Sequence, residues 1–452
     1  MGRAKAEYGR YDGHREFSKT SPMDTLALLK AGKLAGSTRL DLACGLTEFP
    51  REIFELADTL EVLNLTGNAL RSLPDDLHRL ARLKILFCSS NQFTELPACI
   101  GQCPQLSMVG FKSNRIAQVP AAALGPKLRW LILTDNCIEA LPDEIGDCHL
   151  MQKFMLAGNR LTELPASMAK LHKLELLRLS ANRLAALPDW LHSLPSLAWL
   201  AWAGNPMSAA FTTPHDEDGI TADIAWQQLQ LEQKLGEGAS GIIHQAQWGD
   251  TPVAVKLYKG DITSDGTPLN EMNACIAAGL HPNLIRIEGK LKGHPEGVAG
   301  LVMDLIGPAF INLAALPSFD TCSRDVYPEG TRFTPQTLLA MAQGMASVAA
   351  HLHRHGINHG DLYGHNTLYN AEGDCLLGDF GAASFYPQDG SQLAATLQRI
   401  EVRAFGIWLG ELIERCEGVD QRWVALQQAC VQPDVLARPD FNALTTALKQ
   451  HP

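Results

Sequence analysis

Leucines recur along the first half of the chain with a period that neither a helix nor a plain strand produces. One stretch reads Leu60-x-x-Leu63-x-Leu65-x-x-Asn68-x-Leu70-x-x-Leu73-Pro74, and another reads Leu174-x-x-Leu177-x-Leu179-x-x-Asn182-x-Leu184-x-x-Leu187-Pro188. Asn recurs at 68, 91, 114, 136, 159, 182 and 205, and Pro at 74, 97, 120, 142, 165 and 188. A fixed period of this kind marks a stacked array. Each Leu-x-Leu predicts a short strand with its leucines turned inward. No unit buries that face alone, so stacking supplies the core. Asn205-Pro206 ends the pattern, and the polar stretch 212–219 reads as a linker.

These registered copies resemble the leucine-rich repeat in its short form, over about residues 36–208. The resemblance implies that each Asn bonds neighbouring backbone groups in a ladder. Between the leucines lie outward positions. The position before the second Leu runs Val62, Ile85, Met108, Trp130, Lys153, Leu176, Trp199, and the next lane adds Phe87, Ile132 and Met155. Such a lane is expected on the concave face and reads as a protein-binding surface, for a partner or for the chain's own second half. Short strands also favour aromatic and branched residues without any partner. Cys88, Cys103 and Cys148 fall in core slots, so Cys99-x-x-x-Cys103 reads as packing rather than a metal pair.

From Leu231 the period disappears and the pattern becomes mixed α/β. Leu235-Gly236-Glu237-Gly238-Ala239-Ser240-Gly241 is a Gly-x-Gly-x-x-Gly turn between strand-like runs. Because no helix follows it, a dinucleotide-binding reading fails. Val253-Ala254-Val255-Lys256 is a strand ending on a point charge. Glycines let backbone approach phosphate oxygens, and a lysine neutralises them. Further on stand His359-Gly360-Asp361-Leu362-Tyr363-Gly364-His365-Asn366 and Asp379-Phe380-Gly381. They supply hard oxygen ligands for a divalent ion and a carboxylate for an attacking hydroxyl.

In this order the motifs resemble a Ser/Thr protein kinase domain, covering about 228–452. The fold class expected is thus an α/β solenoid, a leucine-rich repeat horseshoe, joined to an α+β two-lobed kinase-like domain. The domains are 1–35, 36–208, a linker 209–227, and 228–452. The resemblance implies ATP as phosphoryl donor and Mg²⁺ as cofactor. It places Gly236, Gly238 and Gly241 over the phosphates, with Ile243 and Ala254 against adenine. Met303 would lie at the back of the pocket, and Asp304 to Ile306 would form the hinge. Lys256 would pair with Glu271, Asp361 would accept the hydroxyl proton, and Asn366 and Asp379 would hold the metal. His359 is expected to be a packed structural histidine, and Phe405 and Trp408 core residues of a helix.

Four departures from that pattern matter. Gly360 stands where an Arg that pairs with an activating phosphate is usual, which predicts activity without that phosphate. Tyr363 stands where a Lys is usual, with His365 as a partial substitute. No Ala-Pro-Glu follows Asp379, so the segment shelving a peptide is short. Glu401 replaces an Asp in the anchoring helix, and Arg438 lacks its usual acid, with Glu401 the candidate replacement. Ser384, Tyr386, Ser391 and Thr396 are the candidate hydroxyls for modification. Two alternatives stay open: a nucleotide-binding pseudokinase scaffold, and a small-molecule kinase of the aminoglycoside or choline type.

Charge sharpens this picture. The chain of 452 residues carries 38 basic and 49 acidic side chains, a net charge of −11. Residues 221–452 hold 15 and 25 of these, so the acid excess lies in the second half and no basic stripe points to nucleic acid. There is no 18-residue apolar run for a membrane span. Residues 1–6 lack an apolar signal core, and Ala6 stands where myristoylation wants Ser or Thr. Eleven cysteines, an odd number without framework spacing, read as thiols of a cytoplasmic protein.

Overall fold

The structure is a computed structural model that describes residues 22–210, 222–238, 240–260, 262–263 and 265–450. The N-terminal residues 1–21 and the linker stretch 212–219 lie outside the described residues. Two compact units emerge, one of 22–177 with 182–194 and one of 178–181 with 195–450.

In the first unit the helix α1 (Pro22–Lys30) precedes the repeats. Three-residue strands follow at the predicted period: β1 (Arg39–Asp41), β2 (Val62–Asn64), β3 (Ile85–Phe87), β4 (Met108–Gly110), β5 (Trp130–Ile132), β6 (Lys153–Met155) and β7 (Leu176–Arg178), whose Arg178 already counts with the second unit, as does β8 (Trp199–Ala201). Strands β1 to β6 form one sheet in sequence order, paired parallel in register. Leu60, Leu63, Leu65 and Leu70 are fully buried, as are their equivalents Leu174, Leu177, Leu179 and Leu184.

The asparagine period has a direct cause. Asn68 accepts from the Cys44 and Leu46 amides with Oδ1, and donates from Nδ2 to the Leu42 and Leu65 carbonyls. Asn91, Asn114, Asn136 and Asn159 repeat the arrangement one rung on. Each amide thereby satisfies turn backbone that stacking has cut off from water. The residue before each Asn is left-handed: glycine at 67, 158 and 204, but Ser90, Ser113, Asp135 and Ala181 with φ of 52° to 57°. That backbone requirement carries no side-chain signature, and four of the seven positions lack the glycine that would reveal it.

The expected open lane is corrected by burial. Val62, Phe87 and Ile132 are half-buried, but Ile85, Met108, Trp130, Met155 and Trp199 are buried. Rungs β1 to β6 stand in register, so their side chains lie over one another, while Trp199 is covered by the Tyr363 ring. The Lys153 ammonium lies 4.7 Å from the centre of the Trp130 ring. The Phe87 ring spreads over Gly110, where a Cβ would come within 2.6 Å of it.

In the second unit a six-stranded sheet runs β10-β11-β12-β14-β13-β9. Its strands are β9 (Ala222–Ala225), β10 (Leu229–Glu237), β11 (Gly241–Trp248), β12 (Thr251–Tyr258), β13 (Ile287–Lys292) and β14 (Gly300–Asp304). Alternation divides the sheet into two faces. Leu229, Ala246, Val253, Val255 and Val302 pack with Ile224 and Leu291 on one face. Ile243, Ala254, Lys256 and Met303 belong to the other, since Ile243 lies opposite Lys256 and Ala254 opposite Met303. The helix α2 (Pro268–Ala277) begins on a Thr267 cap.

The helices α3 (Pro335–Arg354), α4 (Gln392–Ile413), α5 (Gln421–Val431) and α6 (Phe441–Lys449) complete the unit. Between α3 and α4 lie the short strands β16 (Ile357–Asn358), β17 (Thr367–Tyr369), β18 (Cys375–Leu377) and β19 (Ser384–Phe385), with β15 (Ile311–Asn312) pairing to β17. Phe405 and Trp408 are buried in α4, their rings 5.7 Å apart.

Candidate active site

Lys256 lies two residues before the end of strand β12 and reaches Glu271 on α2, where the two form an ion pair. Glu271 is 2% exposed, so its charge needs this partner. Burial works against the Lys256 ammonium, yet the charges of Glu271 and Asp379 outweigh it and raise its pKa. On the same sheet face Ile243 and Met303 are half-buried and Ala254 is buried, with Ile306 half-buried beyond the end of β14 and Asp304 exposed.

The loop from β16 to β17 carries the carboxylate. His359 is fully buried; its Nε2 donates to the Gly378 carbonyl and its Nδ1 accepts the Asp361 amide. It is therefore a packed support, as expected. Asn366 donates through Nδ2 to the Asp361 carbonyl at 3.0 Å and to Asp361 Oδ2 at 2.8 Å. Asp379 follows β18 with φ +54°, a left-handed conformation for a residue with a Cβ, and its Oδ1 accepts the Gly381 amide. Lys256 and Glu271 thus stand together, and Asp361 and Asn366 stand together, with the charge of Asp379 acting on the former pair.

Gly360 has φ +72°, and a Cβ there would fall 2.7 Å from the Leu200 carbonyl oxygen and 2.8 Å from that of Ala382. No arginine could occupy this position without moving backbone. The Gly360 amide donates to Glu401 Oε1 at 2.7 Å, and the other Glu401 oxygen meets His353 Nε2 at 2.7 Å. Arg438 does not pair with Glu401 as expected. It is buried and donates to the carbonyls of Pro195, Arg399 and Gln432. Burial, with Arg403 nearby, brings its pKa down to about 9. Three of the candidate hydroxyl residues are also corrected. Ser384, Tyr386 and Thr396 are buried and hydrogen-bonded, and only Ser391, the α4 cap, is partly accessible.

Sequence reasoning missed Arg178. Its Nε donates to Asp265 Oδ1 at 2.6 Å, Nη1 to the Gly360 carbonyl at 2.9 Å, and Nη2 to Asp361 Oδ1 at 2.5 Å. A signal existed. The lane that supplies Phe87, Ile132 and Met155 runs Asp41, Asn64, Phe87, Gly110, Ile132, Met155, Arg178, Ala201, and Arg178 is its single basic residue. His365 was expected to compensate for Tyr363, but Asp325 takes both its ring Nδ1, at 2.6 Å, and its amide. Tyr363 itself is buried, stacked on Trp199 with ring centres 4.1 Å apart. Burial pushes Asp361 toward the neutral acid, but Arg178, His365, His359 and Asn366 outweigh it and lower its pKa.

Residues 229–408 match the family model described as protein tyrosine and serine/threonine kinase, and 123–210 match that of a leucine-rich repeat region. The chain carries leucine-rich repeats and a protein kinase domain. A putative serine/threonine-protein kinase/receptor of Acanthamoeba polyphaga mimivirus is 28% identical over 48% of this chain and 14% of its own. The proto-oncogene serine/threonine-protein kinase mos of Sus scrofa is 26% identical over 35% of this chain and 48% of its own. The chain thus spans less than half the length of these curated relatives. A leucine-rich repeat protein structure from Leptospira interrogans is 27% identical, with a TM-score of 0.34 over 39% of this chain and 51% of that one. No helix among the described residues is long and apolar enough to cross a membrane. Use of ATP is what a kinase domain implies.

Proposed function

We propose that this chain is an ATP-dependent protein kinase that transfers the γ-phosphoryl group of Mg-ATP to Ser or Thr hydroxyls in the cytoplasm. The observation that carries this reading is the joint placement of the Lys256–Glu271 pair and the Asp361–Asn366 pair, with Asp379 close enough for its charge to act on Lys256. The hydroxyl oxygen attacks the γ-phosphorus, the bond to the β–γ bridging oxygen breaks, and Asp361 takes the hydroxyl proton. Lys256, held by Glu271, meets the α- and β-phosphates. The residues also fit a nucleotide above the sheet: a Cβ at Gly236 or Gly238 would meet no protein atom within 4 Å, so the chain's own packing does not demand glycine there. Carboxylate and amide oxygens at Asp379 and Asn366 suit Mg²⁺, which when bound neutralises phosphate charge. Catalysis rests on positioning and electrostatics.

The repeats are assigned the binding of a protein partner or substrate, which they keep at high effective concentration. Of the apolar lane, Val62, Phe87 and Ile132 remain partly accessible for it. The test is incubation of purified chain and casein with γ-labelled ATP, with and without Mg²⁺. Label in protein bands that disappears in Asp361→Asn supports the reading. Equal label in both proteins, or label only in small solutes, removes it.

A further inference from the structure

We propose that Arg178, from a repeat strand, is a positioning residue for Asp361. The proposal rests on the kinase reading above. Arg178 belongs to the same compact unit as the catalytic loop. Its side chain is 1% exposed. Burying a guanidinium is costly unless it is paired, and here two carboxylates and a carbonyl take its three donor nitrogens. Asp361 is thereby gripped from both sides, Oδ1 by Arg178 and Oδ2 by Asn366. The carbonyl of the preceding residue is held by the same guanidinium, so backbone and carboxylate are set together.

The catalytic loop cannot supply this charge itself. Among residues 359–366 the basic side chains are His359, which packs on Gly378, and His365, which is spoken for by Asp325. Tyr363 is turned under Trp199, whose indole N–H also donates to the Leu362 carbonyl at 3.0 Å. Lys256 is committed to Glu271. The permanent positive charge on Asp361 therefore comes from Arg178. Asp265 orients it through Nε, and the Asp265 amide is in turn fixed by Thr263 Oγ1. The contact does not seal the carboxylate, because the Asp361 side chain keeps 16% exposure for an incoming hydroxyl.

The experiment compares wild type with Arg178→Ala, Arg178→Lys and Asp265→Asn in the full chain, using casein and γ-labelled ATP. Misplacement of a reacting group by about 1 Å costs about 10²-fold, so Arg178→Ala should lose about that much kcat while KM for ATP stays within about twofold. Lysine restores the charge without the fork and should recover about tenfold of the loss. Asp265→Asn, which keeps Arg178 but loosens it, should fall between. A kcat for Arg178→Ala equal to or above wild type overturns the proposal, because the arginine would then be blocking the base. Hydrogen exchange over 358–366 reads the same contact without turnover. Faster exchange there in Arg178→Ala, reversed in Arg178→Lys, supports positioning, and unchanged exchange refutes it. If wild type transfers no phosphate, the kinase reading falls while exchange still decides the role of Arg178.

Discussion

Glu401 should be the most costly single carboxylate to remove from the kinase domain. It lies in the middle of α4 with 1% exposure and accepts from the Gly360 amide and from His353 Nε2, both at 2.7 Å. Hydrogen bonds to a charged group contribute about 1.5–3 kcal/mol each, so Glu401→Ala should cost about 3–5 kcal/mol. The loss also leaves the Gly360 amide and the His353 ring without acceptors in a dry site. Glu401→Gln keeps an acceptor for Gly360 and should cost about 1–2 kcal/mol. Urea unfolding followed by tryptophan fluorescence would measure the midpoint and slope of each variant, with the exposed Glu417→Ala as control. The expected order is control, Gln, Ala, at constant slope. An Ala variant within about 1 kcal/mol of wild type would mean that water or Asn358 replaces the carboxylate, and the anchoring argument would be wrong.

Gly360→Ala should cost more than about 2 kcal/mol, since a left-handed alanine is strained and its Cβ meets two backbone oxygens; a stability within about 0.5 kcal/mol of wild type sinks this. Ser90→Gly should gain about 0.5 kcal/mol in the same unfolding assay, because Ser90 is exposed with φ 52° and glycine relieves the strain. Glu411 takes a hydrogen bond from Tyr327 at 3.2 Å, and burial with the Asp325 charge moves its pKa up to about 8. Its folded pKa lies above the unfolded value, so the stability it contributes is complete below about pH 4.3 and is lost as pH rises toward 8, by at most about 1.4 kcal/mol per pH unit. Melting temperatures from pH 5 to 9 should therefore fall less steeply in Glu411→Gln than in wild type, and parallel curves would contradict the shift.

Period carried most of the first unit. Inward leucines and ladder asparagines follow from chemistry that repeats residue by residue, and the strands stand where the Leu-x-Leu pattern put them. The left-handed turn position was hidden because Ser, Asp and Ala hold it as well as Gly. The Lys256–Glu271 pair was legible through the kinase resemblance, which implies a Glu on the helix after the lysine strand. Arg178 was not, because 183 residues separate it from Asp361 and no spacing rule spans that distance. Exposure of the concave lane failed for a related reason. Alternation gives the direction of a side chain relative to its own strand, but not what the neighbouring rungs lay across it.

Two of the sequence departures meet the same stretch of backbone. The segment after Asp379 reaches α4 at Gln392, and in that short span Ser384 Oγ accepts the Trp202 and Ala203 amides while the Phe385 carbonyl accepts the Trp202 indole N–H. The stretch 195–203 therefore packs directly on this short span. The buried Arg438 and the half-buried Arg403 donate to the carbonyls of Pro195 and Ser196, so backbone takes Arg438 where the kinase resemblance led us to expect an acid. The close approach of Leu200 to Gly360 then forbids a side chain at the position before Asp361. Residues 195–203 thus touch both the position before Asp361 and the short span after Asp379. A variant that restored Arg at 360 alone would strain the Leu200 and Ala382 backbone rather than recreate the missing charge.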